Sequence, residues 1–348
     1  MKKHFKLTFM SLLFILEISL LVFNIIVNSN NKNKEGYVAE NGWLQVKGTE
    51  LLNSSGKPIQ LRGISSHGIQ WFTYTKSSLQ NLKESWGINV FRIAMWTDPN
   101  HNGYIKYKEL KNVAIELIDN AIELDMYVIM DWHILEDNNP NMYKKEAIEF
   151  FKEISEKYKN VPNVIYEICN EPNGDTTWEK DVKPYAEDVI KVIRKNSPKS
   201  LIIVGTPFWC KDLDSVLKSP LDFENITYAV HFYAGNDDQQ LKNTMDRFLD
   251  KGLPIFVSEC GMTDFTCDGP IYVDKFKEWI KFLDDRNISW IYWSISSKDE
   301  STSILEPYSS YIIWDEYGNF VDPKDKDIND YLSEAGREIK SIFERYKN

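Results

Sequence analysis

The sequence is poor in most of the devices that hold a chain together, or bind a cofactor, without a large core. Four cysteines among 348 residues (Cys169, Cys210, Cys260 and Cys267) are too few for a disulfide scaffold, and no C-x-x-C pair suggests zinc or redox chemistry. Sixteen glycines and 13 prolines exclude a collagen-like or low-complexity chain. No strand-like run is followed by a G-x-G-x-x-G or G-x-x-x-x-G-K turn that would cradle a nucleotide phosphate. Positive charge is also short: 41 Lys and Arg face 52 Asp and Glu, a formal charge of −11. Nucleic acid and anionic membrane surfaces are therefore repelled at long range. What the chain has in excess is aromatic surface, 14% of residues with 11 Trp. Trp offers a flat apolar face with one polar handle, which suits a flat, uncharged ligand.

The N-terminus has the basic-then-apolar order of an export signal: Lys2, Lys3 and Lys6 precede the apolar run Leu7 to Val27, which gives way to a polar Asn/Ser/Lys stretch. Glu17 would cost about 2.5 to 3.5 kcal/mol at a membrane centre, and small residues around Val27 to Ser29 allow cleavage. We expect residues 1–29 to be a signal peptide or retained anchor and residues 30–40 a short polar linker. Residues 41–348 then form one domain, secreted or tethered outside the cell. Outside the cell Cys260 and Cys267 are near enough in sequence to close a small bridged loop, although two separate thiols are the simpler expectation.

From Asn41 onward no linker, fixed-period repeat or break in composition appears. Short β-branched or apolar runs recur at Ile59–Ile64, Asn89–Ala94, Tyr127–Asp131, Val164–Cys169, Leu201–Val204, Tyr228–Phe232, Ile255–Ser258 and Trp290–Trp293. Amphipathic stretches separate them: Val113, Leu117 and Ala121 beside Ala114, Ile118 and Ile122, then Ala147, Phe150, Phe151, Ile154 and Tyr158, and finally Tyr331 to Tyr346. Eight near-continuous apolar strands alternating with helices predict an α/β fold, a closed (β/α)8 TIM barrel, with a doubly wound open sheet as the rival.

In such a barrel the chemistry gathers where strands end. The predicted strands end on Ser65-Ser66-His67, on Trp96 after Arg92, on Asp131-Trp132-His133, Asn170-Glu171-Pro172, His231-Phe232-Tyr233, Ser258-Glu259 and Trp293-Ser294. Glu171 and Glu259 lie three βα units apart, so they would face each other across the mouth, each preceded by apolar residues that desolvate it. Glycosidic hydrolysis needs one carboxyl to protonate the leaving oxygen and another to trap or stabilise an oxocarbenium-like centre. Arg92 and Tyr233 could keep one carboxylate ionised, while burial near Asn170 and His231 could raise the pKa of the other.

The segments Leu61 to Trp71, Ile165 to Gly174, His231 to Gly235, Val257 to Gly261 and Tyr292 to Lys298, in this order, resemble family 5 glycoside hydrolases, in particular bacterial endoglucanases. The resemblance implies a retaining endo-β-1,4-glucanase with Glu171 as acid/base and Glu259 as nucleophile, needing no metal or organic cofactor. It also implies that Asn170 contacts the 2-hydroxyl, that Arg92, His133, His231 and Tyr233 align the carboxyls, and that Trp293 floors the −1 sugar site. His67, Trp71, Lys298 and Glu300 match positions on the non-reducing side, and Trp209 an aromatic on the leaving-group side. Two departures stand out: Cys260 where many members carry an aromatic, and Trp96 where many carry Tyr, which would enlarge a stacking platform beside the cleft. Trp86, Trp132, Trp279 and Trp290 read as core or as residues just behind the site. The expected partner is a β-glucan polysaccharide or oligosaccharide, with no protein partner implied and a monomer expected. With no separate binding module after the last helix, attachment to crystalline cellulose should be weak. The alternatives are a β-mannanase, a xylan- or xyloglucan-active relative, or a non-catalytic surface glucan binder.

Overall fold

The computed structural model describes residues 36–309, 313–314, 320–321 and 326–347. The expected leader, including the apolar run Leu7 to Val27, lies outside them. Among the described residues no helix is long and apolar enough to cross a membrane. The chain divides into two units, Met1–Glu40 and Asn41–Asn348. The described part of the first begins a short helix, Tyr37–Asn41.

The second unit is a closed barrel of eight parallel strands: β1 (Arg62–Ser66), β2 (Val90–Trp96), β3 (Tyr127–His133), β4 (Val164–Glu167), β5 (Ile202–Val204), β6 (Ile226–Tyr233), β7 (Ile255–Gly261) and β8 (Trp290–Ile295). Strand β8 pairs with β1 and closes the ring. All eight predicted runs became barrel strands, because each is apolar enough to be buried on both faces. The helices after them are α1 (Lys76–Asn81), α2 (Leu110–Glu123), α3 (Lys144–Lys157), α4 (Lys183–Asn196), α5 (Leu213–Lys218), α6 (Gln239–Asp250), α7 (Val273–Asp284) and α8 (Glu334–Glu344).

Polar caps start several helices where the sequence supplies an oxygen. Thr75 and Ser78 form a reciprocal capping box at α1, and Asp212, Asp238 and Ser333 accept backbone N–H groups at α5, α6 and α8. Helix α2 buries Leu110, Ala114, Leu117, Ile118 and Ala121, while Val113 and Ile122 lie at the edge of that stripe. Helix α3 buries Ala147, Phe150, Phe151 and Ile154, and Tyr158 follows them into the core. At the N-terminal end of the barrel an antiparallel hairpin, Gln45–Lys47 with Glu50–Leu52, is pinned just before β6. There Asn225 accepts from Val46 N and donates to Leu44 O.

Along each strand the side chains alternate between two burial environments. On β2, Phe91, Ile93 and Met95 join the apolar layer under the helices, whereas Arg92 points into the barrel. On β3, Val128, Met130 and Trp132 face outward and Asp131 and His133 inward; on β4, Tyr166 faces outward and Glu167 inward. This period of two delivers the polar residues to the interior near the C-terminal mouth. Trp86, Trp132, Trp279 and Trp290 are all fully buried, as is Trp178.

Candidate active site

Each polar strand end has a physical reason to be there. The interior of a parallel barrel offers fixed backbone geometry, so side chains at the strand tips hold their positions without mobile loops. Arg92 on β2 is the hub and is completely buried. Its Nε donates to Glu167 Oε2 at 2.7 Å, Nη1 to Glu259 Oε2 at 3.1 Å and Ser65 Oγ at 3.3 Å, and Nη2 to Asn170 Oδ1 at 2.7 Å. Asp131 Oδ2 lies 3.0 Å from Nη2 and 2.7 Å from His133 Nδ1. A guanidinium is suited to this task because it stays charged and presents five donors in a rigid plane.

Glu259, near the end of β7, is gripped at both oxygens, by Arg92 at Oε2 and by the Tyr233 hydroxyl, which donates to Oε1 at 2.8 Å. Tyr233 can approach because residue 261 is glycine: a β-carbon there would lie 2.5 Å from Tyr233 Cε1. The Cys267 thiol in turn donates to the Tyr233 oxygen at 3.3 Å. Glu171, following β4, pairs with His231 Nδ1 at 2.7 Å, and His231 Nε2 lies 2.9 Å from Ser258 Oγ. One oxygen of Glu171, one of Glu259 and a nitrogen of His231 lie within 4.8 Å of one another, and among the described residues this is also the donor set compact enough to hold a cation.

The electrostatics differ from the sequence expectation. Burial near Asn170 and His231 was expected to raise one carboxyl, and the donors Arg92 and Tyr233 to keep the other ionised. Burial does push Glu171 up, but the hydrogen bond and charge of His231, with His133 and Arg92 behind, outweigh it and hold Glu171 below the usual carboxylate range. Glu259 is raised instead, because desolvation and the neighbouring Glu171 exceed what Arg92 and His231 return. Burial next to Arg92 pushes His133 down to about 3, so its imidazole is neutral. Glu167, although fully buried, is held at about 2 by the Arg92 charge.

A cavity of about 900 Å³ opens over these groups, and 12 of the 14 residues singled out from the sequence line it. Arg92 and Asn170 lie behind it. Asn170 turns its amide onto Ile134 O at 3.0 Å and its oxygen onto Arg92, so its place is with the groups that position the carboxyls. Trp96, His133 and Trp293 stack in series, with centroids 5.0 and 5.4 Å apart. Trp71 packs edge-on against Trp96 at 4.9 Å. Trp71 and Trp209 are 37% and 40% exposed against 8% and 4% for Trp96 and Trp293, so the first two are open faces and the second two form the floor. Glu300 receives Lys298 at one oxygen and lies 3.7 Å from His67 Nε2 at the other.

Sequence reading missed Glu167, named Asp131 and Ser258 at strand ends without giving them a role in this network, and missed Phe208, Phe265 and Cys267 as cleft residues. Strand parity contained the signal for the first two: Glu167 lies two residues after the inward-facing Ile165, and Asp131 two before His133. The possible bridge between Cys260 and Cys267 is absent, since all four cysteines are free. Cys260 is on strand β7 with its thiol directed to Ile291 O, while Cys267 reaches Tyr233.

Comparison with known proteins agrees with this geometry. A family model described as Cellulase (glycosyl hydrolase family 5) matches residues 52–299. An endoglucanase of Clostridium saccharobutylicum is 43% identical over 309 residues, covering 88% of this chain and 68% of its own length. Endoglucanase A of Evansella cellulosilytica is 47% identical over 283 residues, covering 80% of this chain and 58% of its own. The chain thus spans roughly three fifths to two thirds of these relatives. The crystal structure of the catalytic domain of Thermobifida fusca endoglucanase Cel5A superposes with a TM-score of 0.79 at 34% identity, covering 88% of this chain and 99% of that one. With a closed parallel barrel, two facing carboxyls and a family match across most of its length, the chain belongs to glycosyl hydrolase family 5 and is a glycoside hydrolase.

Proposed function

We propose that the chain cleaves internal β-1,4 bonds of a glucan by double displacement, with Glu259 as nucleophile and Glu171 as acid and then base. The observation that carries this reading is that an oxygen of Glu171 and an oxygen of Glu259 lie within 4.8 Å of each other. A pair about 5 to 5.5 Å apart leaves no room for water between carboxylate and sugar, whereas inversion needs about 6.5 to 9.5 Å. In the first step a Glu259 oxygen bonds to the anomeric carbon as the glycosidic C–O bond breaks, and the proton that Glu171 shares with His231 passes through Glu171 to the departing oxygen. In the second, Glu171 takes a proton from water, whose oxygen displaces Glu259. Arg92 and Tyr233 orient the nucleophile, and neutral His133 between Trp96 and Trp293 keeps the floor apolar for the C–H face of a sugar.

The glucan assignment is supported by the names of the relatives and by the Thermobifida fusca catalytic domain, which has also been solved with cellotetraose. The open Trp71 and Trp209 faces fit a chain that extends beyond the cleaved bond in both directions. The test is a 2-fluoro cellooligosaccharide donor followed by mass spectrometry of peptides. A covalent adduct on the peptide holding Glu259 is expected; an adduct elsewhere, or none with an active enzyme, would overturn the assignment. Reducing-sugar release from carboxymethylcellulose, lichenan, mannan and xylan separates glucanase from mannanase or xylanase, and binding without release marks a silent glucan binder. Export is part of the same reading, supported by the basic and apolar N-terminus. It is checked by fractionating cells and sequencing the N-terminus of the extracellular or membrane-bound form.

A further inference from the structure

Behind Glu171 lies a chain of buried hydrogen bonds with no part in the steps above. Ser258 Oγ donates to Glu167 Oε1 at 2.6 Å. Glu167 is ionised against Arg92 and can only accept, so the single Ser258 proton is committed to it. Ser258 must therefore accept from His231, 2.9 Å away, which places a proton on Nε2. Ser258 and Glu167 are fully buried and His231 is 1% exposed, so water does not substitute for any link.

The consequence falls on the 2.7 Å contact between His231 Nδ1 and Glu171 Oε1. With Nε2 already protonated, this contact is satisfied only if it holds a second proton, on nitrogen or on oxygen. Once that proton leaves, an imidazole lone pair faces a carboxylate at hydrogen-bond distance. A histidine without the constraint could keep one proton on Nδ1, satisfy ionised Glu171 and remain neutral. We infer that Ser258 and Glu167 act as a tautomer lock on His231, a pair of positioning residues that makes the His231–Glu171 pair retain its catalytic proton to higher pH.

Every charged or titratable neighbour of His231 enters this balance. Glu167 and Glu171 on and after β4, Glu259 on β7 and Asp131 on β3 favour the proton. Arg92 opposes it. The Cys210 thiol, directed to Asn170 O at 2.9 Å, also interacts with the ring and favours its proton. Burial lowers His231, but Cys210 first and then the hydrogen bonds to Glu167 and Glu171 raise it above its ordinary value.

The inference rests on Glu171 being the acid of the proposed reaction, so the test has one arm without substrate. In the first, nitrogen-15 NMR of histidine-labelled full-length protein, assigned by loss of the signals in His231→Asn, reports which ring nitrogens carry protons. Nε2 is expected to be protonated at pH 7 in the wild type, with the second proton on Nδ1 or on Glu171, and the single proton moved to Nδ1 in Ser258→Ala. A neutral wild-type ring with a bare Nε2 would overturn the lock whatever the enzyme hydrolyses. The second arm is the pH profile of kcat/KM on an aryl β-cellotrioside. Because the pair titrates as a unit, loss of the lock should move the basic limb acidward by about one pH unit in Ser258→Ala and in Glu167→Gln. Ser258→Thr, which keeps the hydroxyl, should restore it. An unmoved basic limb in folded Ser258→Ala would sink the proposal. Failure of the wild type to cleave the glycoside would strike the glucanase reading and leave the NMR result standing.

Discussion

Two buried layers of this barrel share the same strands and differ in almost every other respect. The outer layer, between strands and helices, is apolar: Trp132 against Phe150 and Phe151, Trp279 stacked on Phe232 at 4.1 Å, Trp290 on Phe343. The inner layer near the mouth is as well buried but holds Arg92, Asp131, Glu167, Glu259, His133 and His231, with a hydrogen bond or ion pair for each. Burial therefore stabilises one layer directly, whereas in the other it is a cost offset only by complete pairing. The outer layer keeps the fold and the inner layer stores electrostatic asymmetry.

That contrast breaks most visibly at the two carboxyls. Glu171→Gln should lower kcat about a hundredfold to ten-thousandfold, the usual range for removing a general acid. Glu259→Gln should lower it at least as far, since no covalent intermediate can form. Both should melt within a few degrees of the wild type, checked by circular dichroism on the samples used for kinetics.

A change in the outer layer should do the reverse. Trp132→Ala should cost about 3 to 5 kcal/mol of stability, measured by denaturant unfolding, while the protein that remains folded keeps kcat within a few fold. A drop in kcat as deep as that of the carboxyl variants would show that the layers are not separable.

Acid titration sharpens the same comparison. Glu167 has its folded pKa held at about 2 against an ordinary 4.5, so its ionised form stabilises the fold above pH 4.5, and the contribution disappears as pH falls through 2. The stability gap between wild type and Glu167→Gln should thus be widest above pH 4.5 and narrow toward pH 2 by roughly 3 kcal/mol, the change that the linkage relation gives. A gap that stays constant with pH would mean that the carboxylate charge is not what Arg92 needs.

The smallest effect is expected at the edge of the inner layer. Cys267→Ala removes the thiol donor from Tyr233 and should change kcat only a few fold, because the Tyr233 bond to Glu259 remains. Cys267→Ser should restore it. Gly261→Ala, which drives a β-carbon into the Tyr233 ring, should cost more than Cys267→Ala in the same assay.

The contrast also marks how far the sequence could be read. The near-continuous apolar runs, separated by amphipathic stretches, made all eight strands visible, and their polar ends pointed to Glu171, Glu259 and His231. Glu167 escaped because it lies inside the run Val164–Cys169 and not at its end, and Ser258, although at a strand end, carries no assignable role until its partners are known. The pKa order of the two carboxyls escaped for a deeper reason: burial and pairing act in opposite directions, and the winner depends on distances of a few ångströms.

What the amino-acid order determined by itself was the alternation of strand and helix, the parity that sends each side chain to the inner or outer layer, and the identity of the groups at the mouth. Those depend on local geometry and on hydrophobic spacing, which are written along the chain. Closure of the ring brought Glu171 and Glu259 within reach, joined Ser258 to Glu167 across 91 positions and gave His231 its two partners. Only the tertiary structure could decide this, because hydrogen bonds and charges act over distances in space, and neighbours in space here come from strands far apart in sequence.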